Sequence, residues 1–297
     1  MASLSPQQPL LHACPSCGRA TALTNYGPEP SLCVECQNAF GLTVRATEAP
    51  SPNDPVWGIP EAIALWIAAF CALLAAEAGA VLYLIYAGRS GLPIPAGEAI
   101  ITDPPLLVAR FVSLGVAHGV TFLLAYMIVT DAGRWKFLPS IGWGWKSWVW
   151  VAGVLTAFVG VFVIAGIVGQ VFGQPEDTPF HKVLKSSFTA RLAVGIFAVA
   201  SAPLVEEVVY RGVMYPAFAR RIGRVAAILV VSGLFLVVHA DQYAGEPAIL
   251  IPLGSLSLAL TALRAYSGSL LPSFALHLLF NGVQVALILT GGPDLQP

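Results

Sequence analysis

Two adjacent glutamates, an arginine, two histidines and an asparagine stand where an apolar sequence tolerates them least. Ala202-Pro-Leu-Val-Glu206-Glu207-Val-Val-Tyr-Arg211-Gly212 sets two carboxylates and a guanidinium inside one hydrophobic stretch. Phe235-Leu-Val-Val-His239 ends a second, and His277-Leu-Leu-Phe-Asn281 lies within a third. An ionisable side chain at membrane depth costs at least about 2.5 kcal/mol on insertion scales, which makes such residues functional by default. On a helix Glu207 and Arg211 are i, i+4 and can pair across one turn. Glu206 is rotated from Glu207 by about 100° and faces a different neighbour. His277 and Asn281, also i, i+4, point the same way. Three helices can thus bring carboxylates, imidazoles and an amide to one polar pocket. That set suits hydrolysis, with a carboxylate to deprotonate water and donors to hold an oxyanion.

Taken singly, each group has a plainer reading. Glu207 and Arg211 read equally well as a structural ion pair, and His239 at a helix end as an interfacial residue. His277 and Asn281 alone read as interhelical hydrogen-bonding glue, worth about 0.6 kcal/mol in membranes. Their joint occurrence is what favours a shared site. His12, His118 and His181 have no partner at helical spacing, and Glu77 and Arg110 are at most outer neighbours of the site.

The elements that must position these residues are membrane spans. Of 297 residues, 57% are hydrophobic and only 10% charged, and the mean hydropathy is +0.76. Soluble domains carry roughly 25% charged residues, so lipid must be the solvent for most of this chain. The net charge of −1 gives no electrostatic basis for binding nucleic acid. A span needs about 20 mostly apolar residues. Seven stretches qualify, at Pro60–Gly88, Leu106–Thr130, Ser147–Phe172, Leu192–Pro216, Val225–His239, Ile249–Tyr266 and Leu270–Leu289. An eighth helix within 89–105 is opposed by its prolines and glycines, and Pro216 is a candidate early stop for the fourth span.

Loop charges orient this parse. With the N-terminus inside, Arg134, Lys136, Lys146, Arg220, Arg221, Arg224 and Arg264 are cytoplasmic. Arg89, Arg110, Lys182, Lys185 and Arg191 are then outside. The cluster Arg220–Arg224 weights the positive-inside rule towards a cytoplasmic N-terminus, and the tryptophans from Trp135 to Trp150 form an interfacial belt. The expectation is a multi-pass protein of the cell membrane, in contact with lipid.

The first 60 residues are different in kind. They are proline-rich, hold four of the five cysteines, and show no basic-then-apolar pattern of a cleavable signal peptide. Cys14-Pro-Ser-Cys17 and Cys33-Val-Glu-Cys36 have the spacing of paired knuckles around one tetrahedral Zn²⁺, a closed and therefore structural site. Paired disulfides are disfavoured in a reducing cytoplasm. So small a module has too little core to fold without the metal. Cys71, alone in an apolar stretch, reads as a buried small hydrophobe. The expected organisation is a zinc-ribbon-like module over 1–40, a proline-rich linker over 41–59, and an all-α polytopic membrane bundle of about seven to eight transmembrane helices over 60–290.

The motifs carry a resemblance. Glu-Glu-x-x-x-Arg, Phe-x-x-x-His and His-x-x-x-Asn, in that order on successive hydrophobic segments, resemble the CPBP family, the CAAX-prenyl-protease and bacteriocin-processing (Abi) intramembrane proteases. Glu-Glu-Val-Val-Tyr-Arg-Gly and the approach Gly-Ser-Leu-Leu-Pro-Ser-Phe-Ala-Leu-His fit it too, and the similarity spans about 147–290. By that resemblance Glu206, His239, His277 and Asn281 form the catalytic centre, supported by Glu207 and Arg211. The substrate is a membrane-associated peptide or protein. The family is commonly described as metalloproteases, which makes Glu206, His239 and His277 candidate ligands of a divalent catalytic metal. A metal-free reading, with Glu206 activating water and His277 and Asn281 holding the oxyanion, stays open beside it. No His-Glu-x-x-His or Gly-Asp is present, which removes zincin- and presenilin-like chemistry.

Two other classes compete with an endopeptidase. One is a membrane immunity or peptide-binding protein that keeps the fold without proteolysis. The other is a proton or solute transporter, since buried glutamate and histidine also build relays, but inverted repeats with matched broken helices are not visible.

Overall fold

The computed structural model describes residues 11–14, 17, 20–22, 50–97, 99–173, 183, 188–240, 243 and 246–290. The chain divides into two units, Met1–Glu48 and Ala49–Pro297. In the first, β1 (Leu11–Ala13) and β2 (Ala20–Ala22) form an antiparallel hairpin with His12 opposite Thr21. Cys14 and Cys17 lie in the connection between the strands. Cys33 and Cys36 lie outside the described residues, and with them half of the expected zinc centre.

The second unit is an all-α bundle. Its elements are α1 (Ile59–Arg89), the one-turn α2 (Ala99–Thr102), α3 (Pro104–Thr130), the short α4 (Phe137–Ile141) and α5 (Val149–Phe172). A composite helix, α6, follows. It is built from α-helical Phe188–Ile196, π-helical Phe197–Ser201, α-helical Ala202–Glu206, π-helical Glu207–Met214 and α-helical Tyr215–Ile222. Then come α7 (Arg224–Ala240), α8 (Pro247–Ser267) and α9 (Leu271–Thr290). Helices α1, α3, α5, α6 and α8 are long and apolar enough to cross a membrane, and α7 and α9 are shorter apolar helices. All seven expected stretches are therefore helical. The 89–105 segment holds only the single turn of α2, as its prolines and glycines dictate.

Local chemistry sets the helix ends. Glu61 reaches back to the backbone N–H of Gly58 at 2.9 Å, with Pro60 in the first turn of α1. Asp103 accepts from the N–H of Leu106 at 3.0 Å to start α3. Helix α6 turns into α7 at Gly223, whose φ of +82° is open to glycine without strain. Pro216 does not end α6. The Tyr215 N–H bonds to the Tyr210 carbonyl in the wide π pattern, and Pro216 falls at the junction where that pattern returns to α, so its missing donor is tolerated.

Burial is inverted relative to a soluble protein. Leu82 of α1, Val112 of α3 and Val159 of α5 are all more than half exposed, as a lipid-facing surface requires. Cys71 is also on that exposed face, not in the interior as expected, because α1 buries only a narrow stripe dominated by Ala62, Leu65, Ala76, Ala80 and Ala87. Small residues let α1 and α3 approach closely, and a Cβ on Gly79 would sit 1.7 Å from Ser113 Oγ. The densest core lies around α6, where every residue from Glu207 to Phe218 is buried. Trp57, Leu65, Val129, Ile141, Val231, Phe235 and Leu270 pack around it. Within the stretch expected as linker, 41–59, Pro55 and Trp57 are buried and Trp57 belongs to this core; residues 41–49 lie outside the described residues.

Candidate active site

Helix α6 carries Glu206, Glu207 and Arg211 into the centre of the bundle, and its neighbours supply their partners. Glu207 and Arg211 are fully buried and pair at 3.1 Å. Ser273 of α9 donates to the second Glu207 oxygen, and Nδ1 of His277 lies 2.9 Å from the first. Arg211 spends its other donors on α8. Nε reaches Thr261 Oγ1 at 3.2 Å, and Nη2 reaches the Ser257 carbonyl at 3.2 Å and Oγ at 2.8 Å. Ser232 of α7 bonds the same Ser257 carbonyl at 3.1 Å. The guanidinium lies 4.7 Å from the centre of the Phe235 ring, a cation–π contact in a dry site. Four helices are thus tied together through one ion pair with its hydrogen-bonding capacity largely filled, the condition under which a buried pair is tolerated.

Glu206 is placed differently. Its side chain is 24% exposed, and Nε2 of His277 stands 3.7 Å from its carboxylate, beyond hydrogen-bond reach. His277 therefore sits between both glutamates, bonded to Glu207 and facing Glu206. Since an ionised Glu207 only accepts, the bonded Nδ1 carries a proton, and Nε2 is the ring nitrogen turned to the Glu206 side.

Asn281, one turn beyond His277, donates Nδ2–H to the Ala198 carbonyl at 2.7 Å. The reason lies in α6. In the first π segment the Ala202 N–H bonds to the Phe197 carbonyl, so the next donor in the series belongs to Pro203, which has none. Asn281 fills the gap from α9, and its second amide N–H remains for other partners.

His239 closes α7 with Nδ1 against the Phe235 carbonyl at 2.7 Å. Its ring stacks on Phe235 with centroids 4.4 Å apart. The same Phe235 meets His277 edge-on at 6.3 Å. The structure therefore brings Glu206, Glu207, Arg211 and His277 into one connected set, anchors Asn281 beside it, and places His239 across the Phe235 ring. Among the described residues, no three His, Cys, Asp or Glu side chains are grouped to hold a metal ion. Glu206, His239 and His277 in this arrangement do not make a three-ligand set.

Several participants were not visible in the sequence. Ser273 lies one turn before His277, and Ser257 and Thr261 are i, i+4 on α8, so a search for polar pairs at helical spacing finds them. His118 of α3 had no spacing signal. Its Nδ1 bonds Ser201 Oγ at 2.6 Å, and it lies close enough to Glu206 to feel that charge. Tyr243, between α7 and α8, is also near enough to Glu206 to feel its charge. Burial pushes its phenol up to about 12, and the Glu206 charge acts in the same direction. Glu77 and Arg110, by contrast, pair with each other at 3.3 Å on the bundle surface.

Residues 188–283 match the family model described as Rce1-like, type II CAAX prenyl endopeptidase Rce1-like. The site lies in an Rce1-like domain. That domain runs from the start of α6 into α9 and contains Glu206, Glu207, Arg211, His239, His277 and Asn281. The family points to an intramembrane endopeptidase in a multi-pass membrane protein acting on a protein or peptide. No curated protein and no solved structure matches the chain.

Proposed function

We propose that this protein is an intramembrane endopeptidase in which Glu206 activates the water that attacks a peptide bond of a membrane-associated protein or peptide. The observation that carries this reading is the division of labour between two neighbouring carboxylates. Glu207 is buried with both oxygens engaged, whereas Glu206 is partly open and makes no bond to His277 at 3.7 Å. A general base needs a free lone pair within reach of a water, and of these two carboxylates Glu206 is the one that offers it.

In the proposed reaction Glu206 takes a proton from water as the water oxygen bonds to the scissile carbonyl carbon. The carbonyl oxygen becomes an oxyanion, held by the free N–H of Asn281 and by Nε2–H of His277, whose ring enters the cycle already protonated from solvent and leaves it unchanged. Glu206 then returns its proton to the amide nitrogen as the C–N bond breaks, leaving a carboxylic acid and an amine. Glu207 and Arg211 orient His277 and are positioning residues. We place the protein in the cell membrane with a cytoplasmic N-terminus. In support, Lys146 lies by Gly268, Arg220 binds Asp54 and Arg264 binds Asn53, so basic residues of the α4–α5 loop and of the last turns of α6 and α8 share the end of the bundle at which α1 begins. The four cysteines of the N-terminal unit are proposed to hold one structural zinc.

The test is cleavage in reconstituted bilayers of a pool of lipid-anchored, quenched-fluorescent peptides. The wild type should cleave members of the pool, and Glu206→Gln should not. Full cleavage by both Glu206→Gln and His277→Ala would overturn the reading.

A further inference from the structure

Residues 50–58, just before α1, form a strap pinned to the ends of the helices that build the site. Ser51 and Asp54 close a tight turn, with the Asp54 N–H 3.1 Å from the Ser51 carbonyl and the Ser51 N–H 3.2 Å from that of Asp54. The tip of the turn is held by Arg264 in the last turn of α8. Its Nη1 donates to Asn53 Oδ1 at 3.0 Å, and its Nη2 donates to the Pro52 carbonyl. Arg264 is fully buried, so these neutral acceptors are what make a charge tolerable there. Arg220 of α6 grips the next residues, reaching the Pro55 carbonyl at 2.5 Å, Asp54 Oδ1 at 3.3 Å and the Trp57 carbonyl at 3.1 Å.

Two further contacts link the strap to the site. Trp57, 3% exposed, donates its indole N–H to the Val213 carbonyl at 3.0 Å. Val213 lies in the same π segment as Glu207 and Arg211. Gly142, with φ +75°, has room for Pro52 only because it lacks a Cβ, which would stand 2.8 Å from Pro52. The Gly142 carbonyl in turn accepts from the N–H of Leu270 at 2.8 Å, immediately before α9 and His277. The strap therefore touches α6 and α8 and, through Gly142, is linked to the start of α9; these helices carry Glu206 with Glu207 and Arg211, Ser257 with Thr261, and His277 with Asn281.

We propose that the 50–58 strap is a positioning element of the active site, with Trp57 and Asn53 holding the second π segment and α8 in the register that presents His277 to Glu206. The inference rests on the endopeptidase reading. π-helical turns are rare and occur frequently at functional sites. Misplacing catalytic groups by about 1 Å from a distance can lower turnover by ~10²-fold.

Full-length protein in bilayers, assayed on the peptide pool, tests this. Trp57→Phe keeps an aromatic ring in the core and removes only the donor. Asn53→Ala removes the acceptor for Arg264, and Asn53→Asp restores one. Trp57→Phe and Asn53→Ala should each lower kcat by ~10-fold or more per folded molecule, with KM changed less than about twofold, and Asn53→Asp should recover kcat. Normal kcat in folded Trp57→Phe and Asn53→Ala, even with lower melting temperatures, would make the strap mere covering and overturn the inference. So would a loss confined to KM. Should Trp57→Phe fail to accumulate, the exposed Asn53 pair decides alone. Glu206→Gln separates the two ideas. If it stays active, the endopeptidase mechanism fails. If it is dead while the strap variants turn over normally, only the strap inference fails.

Discussion

The Glu207 carboxylate receives Nδ1–H of His277 at 2.9 Å while pairing with Arg211 at 3.1 Å, and these two contacts together govern what the other imidazole nitrogen can do. Glu207→Gln keeps the shape but strips the charge that balances a fully buried guanidinium. Breaking a buried pair this way destabilises by about 3–5 kcal/mol. A large drop in melting temperature, together with lost turnover, is the expected result. An unchanged melting temperature would contradict the pairing described here.

Glu206→Gln should behave in the opposite way. The side chain is partly open and has no hydrogen bond to His277, so the fold should melt where the wild type does. Turnover should fall by ~10²–10⁴-fold because the proton acceptor is gone. Thermal melts and single-turnover rates of the two variants side by side make the comparison, and a destabilised Glu206→Gln would mean that its role is structural.

Much of this was legible from residue types alone. Seven hydrophobic runs became seven helices because hydropathy reports lipid burial directly, and Glu207 paired with Arg211 because i, i+4 spacing forces proximity. The π segments of α6 were not legible. Their only trace is Pro203 and Pro216 inside an unbroken apolar run, and that trace reads equally as a helix end. The assignment of the two glutamates was half visible, since rotation separates Glu206 from Glu207 without saying which one faces the core. His118 was missed because its partner, Ser201, belongs to a different helix far along the chain. Residues 50–58 read as linker because prolines usually mark one, whereas Arg264 and Arg220 convert that segment into part of the bundle.

Metal content should separate the two ends of the chain. Purified full-length protein is expected to hold one zinc, lost in the Cys14→Ser, Cys17→Ser double variant, since thiolates of paired knuckles bind it tightly. That variant should retain turnover after exhaustive chelation, because among the described residues no three-ligand group is formed around Glu206. Turnover that disappears with chelator and returns with added zinc in the cysteine variant would sink the metal-free mechanism.

Asn281 is expected to serve two purposes that mutation can pull apart. Its amide satisfies the Ala198 carbonyl at 2.7 Å, which Pro203 cannot serve, and its remaining N–H is the proposed oxyanion donor. Asn281→Ala should therefore destabilise the fold by about 1–3 kcal/mol through the unsatisfied carbonyl and lower kcat by ~10²–10³-fold through the missing donor. Pro203→Ala supplies a backbone N–H in register with the Ala202 bond to Phe197, giving the Ala198 carbonyl a partner within α6. In the Asn281→Ala background, Pro203→Ala should then restore much of the melting temperature while leaving kcat low. Recovery of both would show that Asn281 acts only by holding α6 to α9, and the oxyanion would have to be held by His277 without it.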